Sequence, residues 1–505
     1  MLKQIFSIFI LLFNTSSVSA LNETVLDKIN RAEVFMSIKD LPASLDPTKV
    51  AFMEHFLLLQ AFQQTLIRMS ESGRIVSDLA RSWQISKDGK VITLNLDPHA
   101  TFHNNKKVSS SDVVYSFSRH VWPESKSVVS GYLKLHVVGA DRVKSGETIE
   151  GVKVIDEHTV QFHLKKPYSP FLYILTIPGF TIIPAGAEED NIIGSGPYII
   201  DYKNNDKIVF KKNNLYPHSS NALKKIVVQS QPDYTKAISD LKSGNINLYI
   251  GISPKMITNK TIDNELDLQL SETLIISHLY FNPRKSISKN AEFRSDLSSV
   301  FSGLADEALK TNKYFNKLNT FVPYGLMQTG YYRRDRKNVT IKEFKRKWGR
   351  FLKNYKVVIF EEAMPSEFIN SAKGLLSSVK GHLDIVKREH LVKTLIDKNY
   401  DLVGGRYVGN FPDPDGYLNV INSHENVHMG GFDTTEILDT LSKYKNNLDA
   451  NFRLKMYSVE LEKFESKNLI IPLFLMKVPI LRSRSLVFPD TTFRYQGEFW
   501  KSYWN

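Results

Sequence analysis

Residues 78–117, DLARSWQISKDGKVITLNLDPHATFHNNKKVSSSDVVYSF, constrain the fold more tightly than any other part of the chain, because each step follows from local physical chemistry. Ile92, Leu94 and Leu96 alternate with Val91, Thr93 and Asn95, the period-two pattern of a strand with one buried face. The Asp88-Gly89 pair just upstream is a hairpin-turn signal. After a bend at Asp97-Pro98 and a turn at Asn104-Asn105, Ser109 and Asp112 take the spacing of a capping box, with Asp in place of the usual Glu or Gln. The pattern predicts a helix from about Ser110 with Val113, Val114, Phe117 and Val121 on its apolar side, stopped by Trp122-Pro123. A strand, a turn and an amphipathic helix are implied, with no catalytic chemistry.

Helix followed by strand recurs further on. Residues 234–243 place Ala237, Ile238 and Leu241 on one side, end at Gly244, and lead into a strand at 246–250, which reads as α/β. An apolar β-rich run at 274–281 precedes the turn at Asn282-Pro283, and helices are predicted over 434–446 and 451–466. With 505 residues and 42% hydrophobic content, the chain exceeds one ordinary domain and should bury two or three cores. No repeat, low-complexity tract or Gly/Ser linker separates them, so the domains are expected to interleave.

The N-terminus reads as a cleavable signal peptide over residues 1–20: Lys3, an apolar run at 5–13, and Val18-Ser19-Ala20 before the cut. There is no cysteine, which removes disulfides, thiolate metal sites, cysteine nucleophiles and a lipid-modified N-terminal Cys together. A soluble periplasmic protein is expected. The net charge of +13 concentrates between Arg333 and Arg350. That segment is either a solvated helix face or a surface for anionic lipid heads or an acidic permease face. No nucleic-acid-binding module is recognisable.

Several blocks, in order, resemble one family. Leu79-Ala80 with Trp83, Asp88-Gly89-Lys90, Phe102-His103-Asn104, and Ser109 followed by Asp112-Val113-Val114-Tyr115-Ser116-Phe117 form the first. Gly194-Ser195-Gly196-Pro197-Tyr198 with the strand-like Lys207-Ile208-Val209-Phe210 is the second, and Tyr400-Asp401-Leu402-Val403 with residues 410–418 the third. Weaker echoes fall at 278–282 and 471–474. Together they resemble the extracellular solute-binding proteins of family 5, the peptide/nickel-type receptors of ABC importers. The resemblance implies a two-lobe α/β periplasmic-binding-protein fold of the large peptide-binding type. Lobe I would cover 21–272 with an extra subdomain at about 50–180, lobe II 273–474, and 475–505 would return to lobe I. It implies a monomeric receptor without enzymatic activity, cofactor or metal, capturing an oligopeptide or peptide-like solute and delivering it to an ABC permease in the inner membrane.

By the same resemblance, ligand contacts come from Ser44, Leu45 and Asp46 in lobe I and from Arg406, Tyr407, Asn410, Phe411 and Asp413 in lobe II. Tyr407 falls where relatives usually carry Trp, and Asn410 where many peptide binders carry an Asp that pairs with the ligand α-amino group. Asn offers a neutral carbonyl and an NH2 donor, so a blocked, neutral or acidic ligand is favoured, and Arg406 offers a fork for a carboxylate. Simpler readings stand beside these. Asp413 and Asp415 read as turn and capping residues rather than a catalytic pair, and residues 44–46 as a turn before Pro47. His424 and His428 are either metal ligands or loop residues beside Gly430-Gly431. Ser286 with Lys289 and Ser377 with Lys380 match a serine-x-x-lysine hydrolase pattern that a Ser- and Lys-rich chain produces by chance. An exported hydrolase, and a sensor or chaperone on the same fold, are the alternatives to a transport receptor.

Overall fold

The structure is a computed structural model and describes residues 32–70, 73–187, 192–217, 223–251, 257, 266–323, 325–327, 338–387, 390–397, 399–409, 411–418, 421, 432–489 and 502–504. The expected signal peptide, Asn410, His424, His428 and Arg333 to Lys337 lie outside them. Among the described residues, no helix is long and apolar enough to cross a membrane.

The segment read first folds as its pattern dictates. Strand Val91–Leu96 buries Ile92, Leu94 and Leu96 and pairs antiparallel with Ala80–Ile85 across a turn in which Gly89 takes φ +67°. The Ser109 N–H donates to Asp112 Oδ2 at 2.8 Å, closing the capping box ahead of helix Ser110–Arg119. A cap of this kind stabilises by about 1 kcal/mol. These elements, with strands Val152–Asp156 and Thr159–His163, make a four-stranded antiparallel sheet whose core holds Phe117, Phe162, Phe171 and Phe180. These elements lie within the stretch expected to form the inserted subdomain.

Among the described residues the remaining large sheet has eleven strands. Its middle is a ribbon of two long antiparallel strands, Leu266–Phe281 and Ile470–Ser483. The first starts well before the apolar run at 274–281, because residues 266–272 alternate less cleanly and gain their order from pairing. One end of the ribbon is flanked by Leu248–Ile250 and, beyond it, Glu33–Ile38 and Lys225–Ser230, the core of lobe I. The other end is flanked by Leu402–Val408 and Lys356–Phe360, in the core of lobe II. Pairing slips between Glu272↔Lys477 and Ile276↔Leu475, so Thr273, Leu274 and Ile275 face the single residue Met476. An excess of residues on one strand bends a ribbon and weakens its ladder locally, which suits a hinge. Thr273 Oγ1 donates to Met476 O at 2.7 Å and accepts the Ile275 N–H at 3.1 Å, holding the bulge in one shape.

The basic segment is a solvated helix where it is described. Helix Ile341–Trp348 starts at a Thr340/Glu343 capping box. Lys347 pairs with Glu292 and with Asp296, while Lys342, Arg346 and Arg350 are exposed.

Candidate functional site

Strand Leu402–Val408 carries Arg406 opposite Ser277 and Tyr407 opposite Ile276, on the lobe II side of the bulge. Gly404 is needed where it stands: a Cβ there would meet Leu279 Cδ2 at 2.8 Å and Met364 Cε at 3.0 Å. Arg406 is exposed, with Nη1 3.7 Å from the sulfur of Met476. The strand end is tied to the hinge by two donors onto one carbonyl, since the Gly409 N–H and the Tyr417 hydroxyl both reach Leu274 O at 2.9 Å. The Tyr407 hydroxyl donates to Gly416 O at 3.0 Å. The bulge and the residues after the strand are thus joined through one carbonyl.

The turn that follows is built on two buried carboxylates. Asp413 Oδ1 accepts the Asp415 N–H at 3.0 Å, the expected turn bond. Both Asp413 oxygens also bind the Arg453 guanidinium, Nη1 to Oδ1 at 2.9 Å and Nη2 to Oδ2, with both side chains buried. Burial opposes the guanidinium charge, yet its bonds to Asp413 hold Arg453 above its usual range. Asp415 accepts from Tyr168 at 2.6 Å and Tyr457 at 2.8 Å, and Lys445 Nζ stands 3.4 Å away. Burial works against its charge, but Lys445 and the two hydroxyls hold the carboxyl below the usual range. Tyr168 belongs to the inserted subdomain, and Phe411 enters that subdomain's core with its ring 5.8 Å from Tyr132. The loop thus spans from lobe II to lobe I.

The lobe I residues have structural partners. Ser44 Oγ accepts the Asp46 N–H at 3.1 Å, Leu45 is buried in the lobe I core, and Asp46 Oδ1 accepts from the Thr48 N–H at 2.9 Å. Asp46 also takes Arg119 in a two-point pair at 3.1 and 2.5 Å. Burial opposes the Asp46 charge, and Arg119 outweighs it, holding the carboxyl below its usual range. His103 Nε2 lies 3.0 Å from Gly196 O. Gly194 and Gly196 are glycines for space, since a Cβ on Gly194 would stand 1.9 Å from Phe62 O. That turn precedes strand Tyr198–Lys203.

The structure places Arg406 and Tyr407 on strand Leu402–Val408 and Phe411 and Asp413 in the turn that follows it, and seats Ser44, Leu45 and Asp46 in a turn bound to helix Ser110–Arg119. Sequence reasoning missed Arg453, Tyr457, Lys445 and Tyr168, whose spacing signals nothing beyond helix or loop. Ser286 and Lys289 bound a single 3-10 turn, and Ser377 ends helix Ser366–Ser377 with Lys380 at φ +61°. Among the described residues, no group of three His, Asp or Glu is placed to hold a metal ion.

A bulged two-strand connection between two α/β lobes defines the two-lobe fold of the periplasmic-binding-protein type. Residues 74–325 match the model of bacterial extracellular solute-binding proteins, family 5 Middle, and the chain belongs to that family. It is 25% identical over 297 residues to the periplasmic murein peptide-binding protein MppA of Escherichia coli (strain K12), covering 56% of this chain and 54% of that protein. It is 30% identical over 187 residues to the periplasmic oligopeptide-binding protein OppA of the same organism, covering 34% of each. These matches span about half and a third of the two relatives' lengths. The solved structure of the ABC transporter-associated periplasmic binding protein DppA from Helicobacter pylori, in complex with peptide STSA, superposes with a TM-score of 0.74. That superposition covers 95% of this chain and 99% of the other at 19% identity.

Proposed function

We propose that the chain is a periplasmic receptor that captures a peptide or peptide-like solute between its lobes and delivers it to an ABC permease in the inner membrane. It acts as a monomer and makes or breaks no bond. The observation that carries this reading is the bulge at Thr273 to Ile275, to which Gly409 at the end of strand Leu402–Val408 and Tyr417 are both tied through Leu274 O. A ligand that fits the closed lobes better than the open ones drives closure. The relatives' names supply the solute class, murein peptide for one and oligopeptide for the other. Native mass spectrometry of residues 21–505, purified folded from the host periplasm, tests it. A ladder of short peptides is expected on the protein. An empty protein that no peptide stabilises against heat overturns the reading, since a ligand at 100 times Kd adds about 2.7 kcal/mol of stability.

Within this reading Arg406 is the anion-recognising group. Its guanidinium is exposed beside the hinge, and an Arg fork matches a carboxylate in two bonds. Tyr407 contributes beside it, Asn410, outside the described residues, is assigned to the ligand by the family resemblance alone, Phe411 and Asp413 fix the turn, and residues 44–46 contribute main-chain rather than side-chain contacts, since the Asp46 carboxylate is taken by Arg119. Arg406→Gln is expected to weaken a peptide with a free C-terminal carboxylate by about tenfold or more, the worth of a hydrogen bond to a charged group, and to leave the C-terminal amide unchanged. Equal loss for acid and amide, read by calorimetry, would remove Arg406 from that role.

A further inference from the structure

The inserted subdomain docks on lobe II at three places. Tyr168 donates to Asp415 at 2.6 Å, with Lys445 Nζ 5.0 Å from the tyrosine ring centroid. Phe411 is buried in the subdomain core against Tyr132. The Gly89 turn lies against lobe II, where an added Cβ would stand 2.7 Å from Leu448 Cδ2. The subdomain is continuous in the chain with lobe I, and lobe I meets lobe II through the ribbon that is bulged at Thr273. Rotation about that bulge must therefore break all three contacts together.

We propose that Tyr168 is a closure latch: its hydroxyl, donated to Asp415, clasps the subdomain to lobe II and sets the ratio of closed to open molecules, before any ligand is counted. The bond crosses from one mobile body to the other and is buried on both sides, with Tyr168 5% and Asp415 7% exposed. Asp415 is held ready by its own lobe, through Tyr457 at 2.8 Å and Lys445 at 3.4 Å, so it remains partnered when the clasp opens. Tyr168 is aimed from its own side by His136, whose ring stacks on it at 3.8 Å with 12° between planes. Such an arrangement forms a buried charge-assisted bond on closing and orphans no charge on opening, as a reversible latch requires. The inference rests on the two-lobe receptor reading, but it concerns the motion and needs no ligand.

The absence of cysteine makes the test direct. Spin labels on Lys153→Cys in the subdomain and Glu462→Cys in lobe II, both exposed positions, report the separation by pulsed dipolar EPR on the ligand-free protein. Tyr168→Phe keeps the ring stack and removes the hydroxyl. It is expected to lower the ratio of short to long distances about tenfold, the worth of one hydrogen bond to a charged group. Tyr457→Phe, which touches the same carboxylate from within lobe II, is expected to leave the ratio unchanged. Identical distributions for wild type and Tyr168→Phe, or a wild type without a short-distance population, overturn the latch. Those results leave peptide capture standing, and an empty protein in the mass spectrometer leaves the latch standing.

Discussion

Replacing Arg453 by methionine is expected to destabilise the protein by about 3–5 kcal/mol, the cost of leaving one member of a buried ion pair alone. Arg453 is 2% exposed and Asp413 is 3% exposed, so water reaches neither charge. Arg453→Met leaves Asp413 with one strong donor, the Asp415 N–H, and no countercharge. The carboxylate must then bind a proton or drag the turn toward solvent, and the turn carries Asp415 and Tyr417, which hold Tyr168 and Leu274. The loss should therefore appear in urea melts as a lower midpoint, with ligand affinity falling alongside. Asp413→Asn combined with Arg453→Met should recover much of the loss, because the Asn oxygen still accepts the Asp415 N–H and no charge is buried. If the double variant is no more stable than Arg453→Met, packing of the arginine on Tyr457, whose ring centroid is 5.3 Å from Cζ, outweighs the charge.

The same pair marks where sequence reading stops. Asp413 and Asp415 are legible as turn residues, because Asp-Pro-Asp-Gly specifies a local bond that forms between neighbours. That Asp413 also needs an arginine forty positions later is invisible, since Arg453 enters its helix Ala450–Ser466 at no distinctive spacing. Local devices were readable for the same reason: the Ser109/Asp112 box, the Asp88-Gly89 turn and the period-two burial of Val91–Leu96 involve residues within a few positions of each other. The hinge was half readable. The apolar run at 274–281 predicts a strand, but the strand begins at Leu266, and the bulge at Thr273 exists only in the register against Ile470–Ser483. Gly194 shows the converse, a residue whose identity the sequence displays and whose reason, the approach of Phe62 O, only the fold supplies.

Acidification should destabilise the fold before any ligand-binding group is involved, with a slope to which three buried residues contribute most. His120 and His136 are both pushed down to about 3, chiefly by burial; Arg119 also lowers the first, and Lys445 and Lys165 the second. In the unfolded chain they titrate near 6.5, so between about pH 6.5 and 3 the unfolded state binds two protons that the folded state refuses. Stability from their neutral forms is therefore lost as the pH falls. Asp78 acts in the opposite direction. Burial pushes it up to about 6, against the Gln64 and Thr65 bonds, so from about pH 6 to 4 the folded state binds one proton that the unfolded state lacks. Two minus one leaves one proton from these three groups, or about 1.4 kcal/mol lost per pH unit on going from pH 6 to pH 4, and Asp413, raised chiefly by burial, works against that loss as Asp78 does. Asp46 and Asp415, held below the usual carboxylate range, keep their contribution throughout this window and lose it only at lower pH, as each is protonated. His103 and His163 shift downward as well and steepen the upper part of the profile. Asp78→Asn should therefore steepen the slope by about 1.4 kcal/mol per unit, and His136→Phe, which preserves an aromatic stack on Tyr168, should flatten it by about the same amount. Urea midpoints measured at half-unit steps read all three proteins. A wild type that gains stability toward pH 4, or an Asp78→Asn profile no steeper than wild type, would mean that the buried histidines are not what sets the acid limit of this fold.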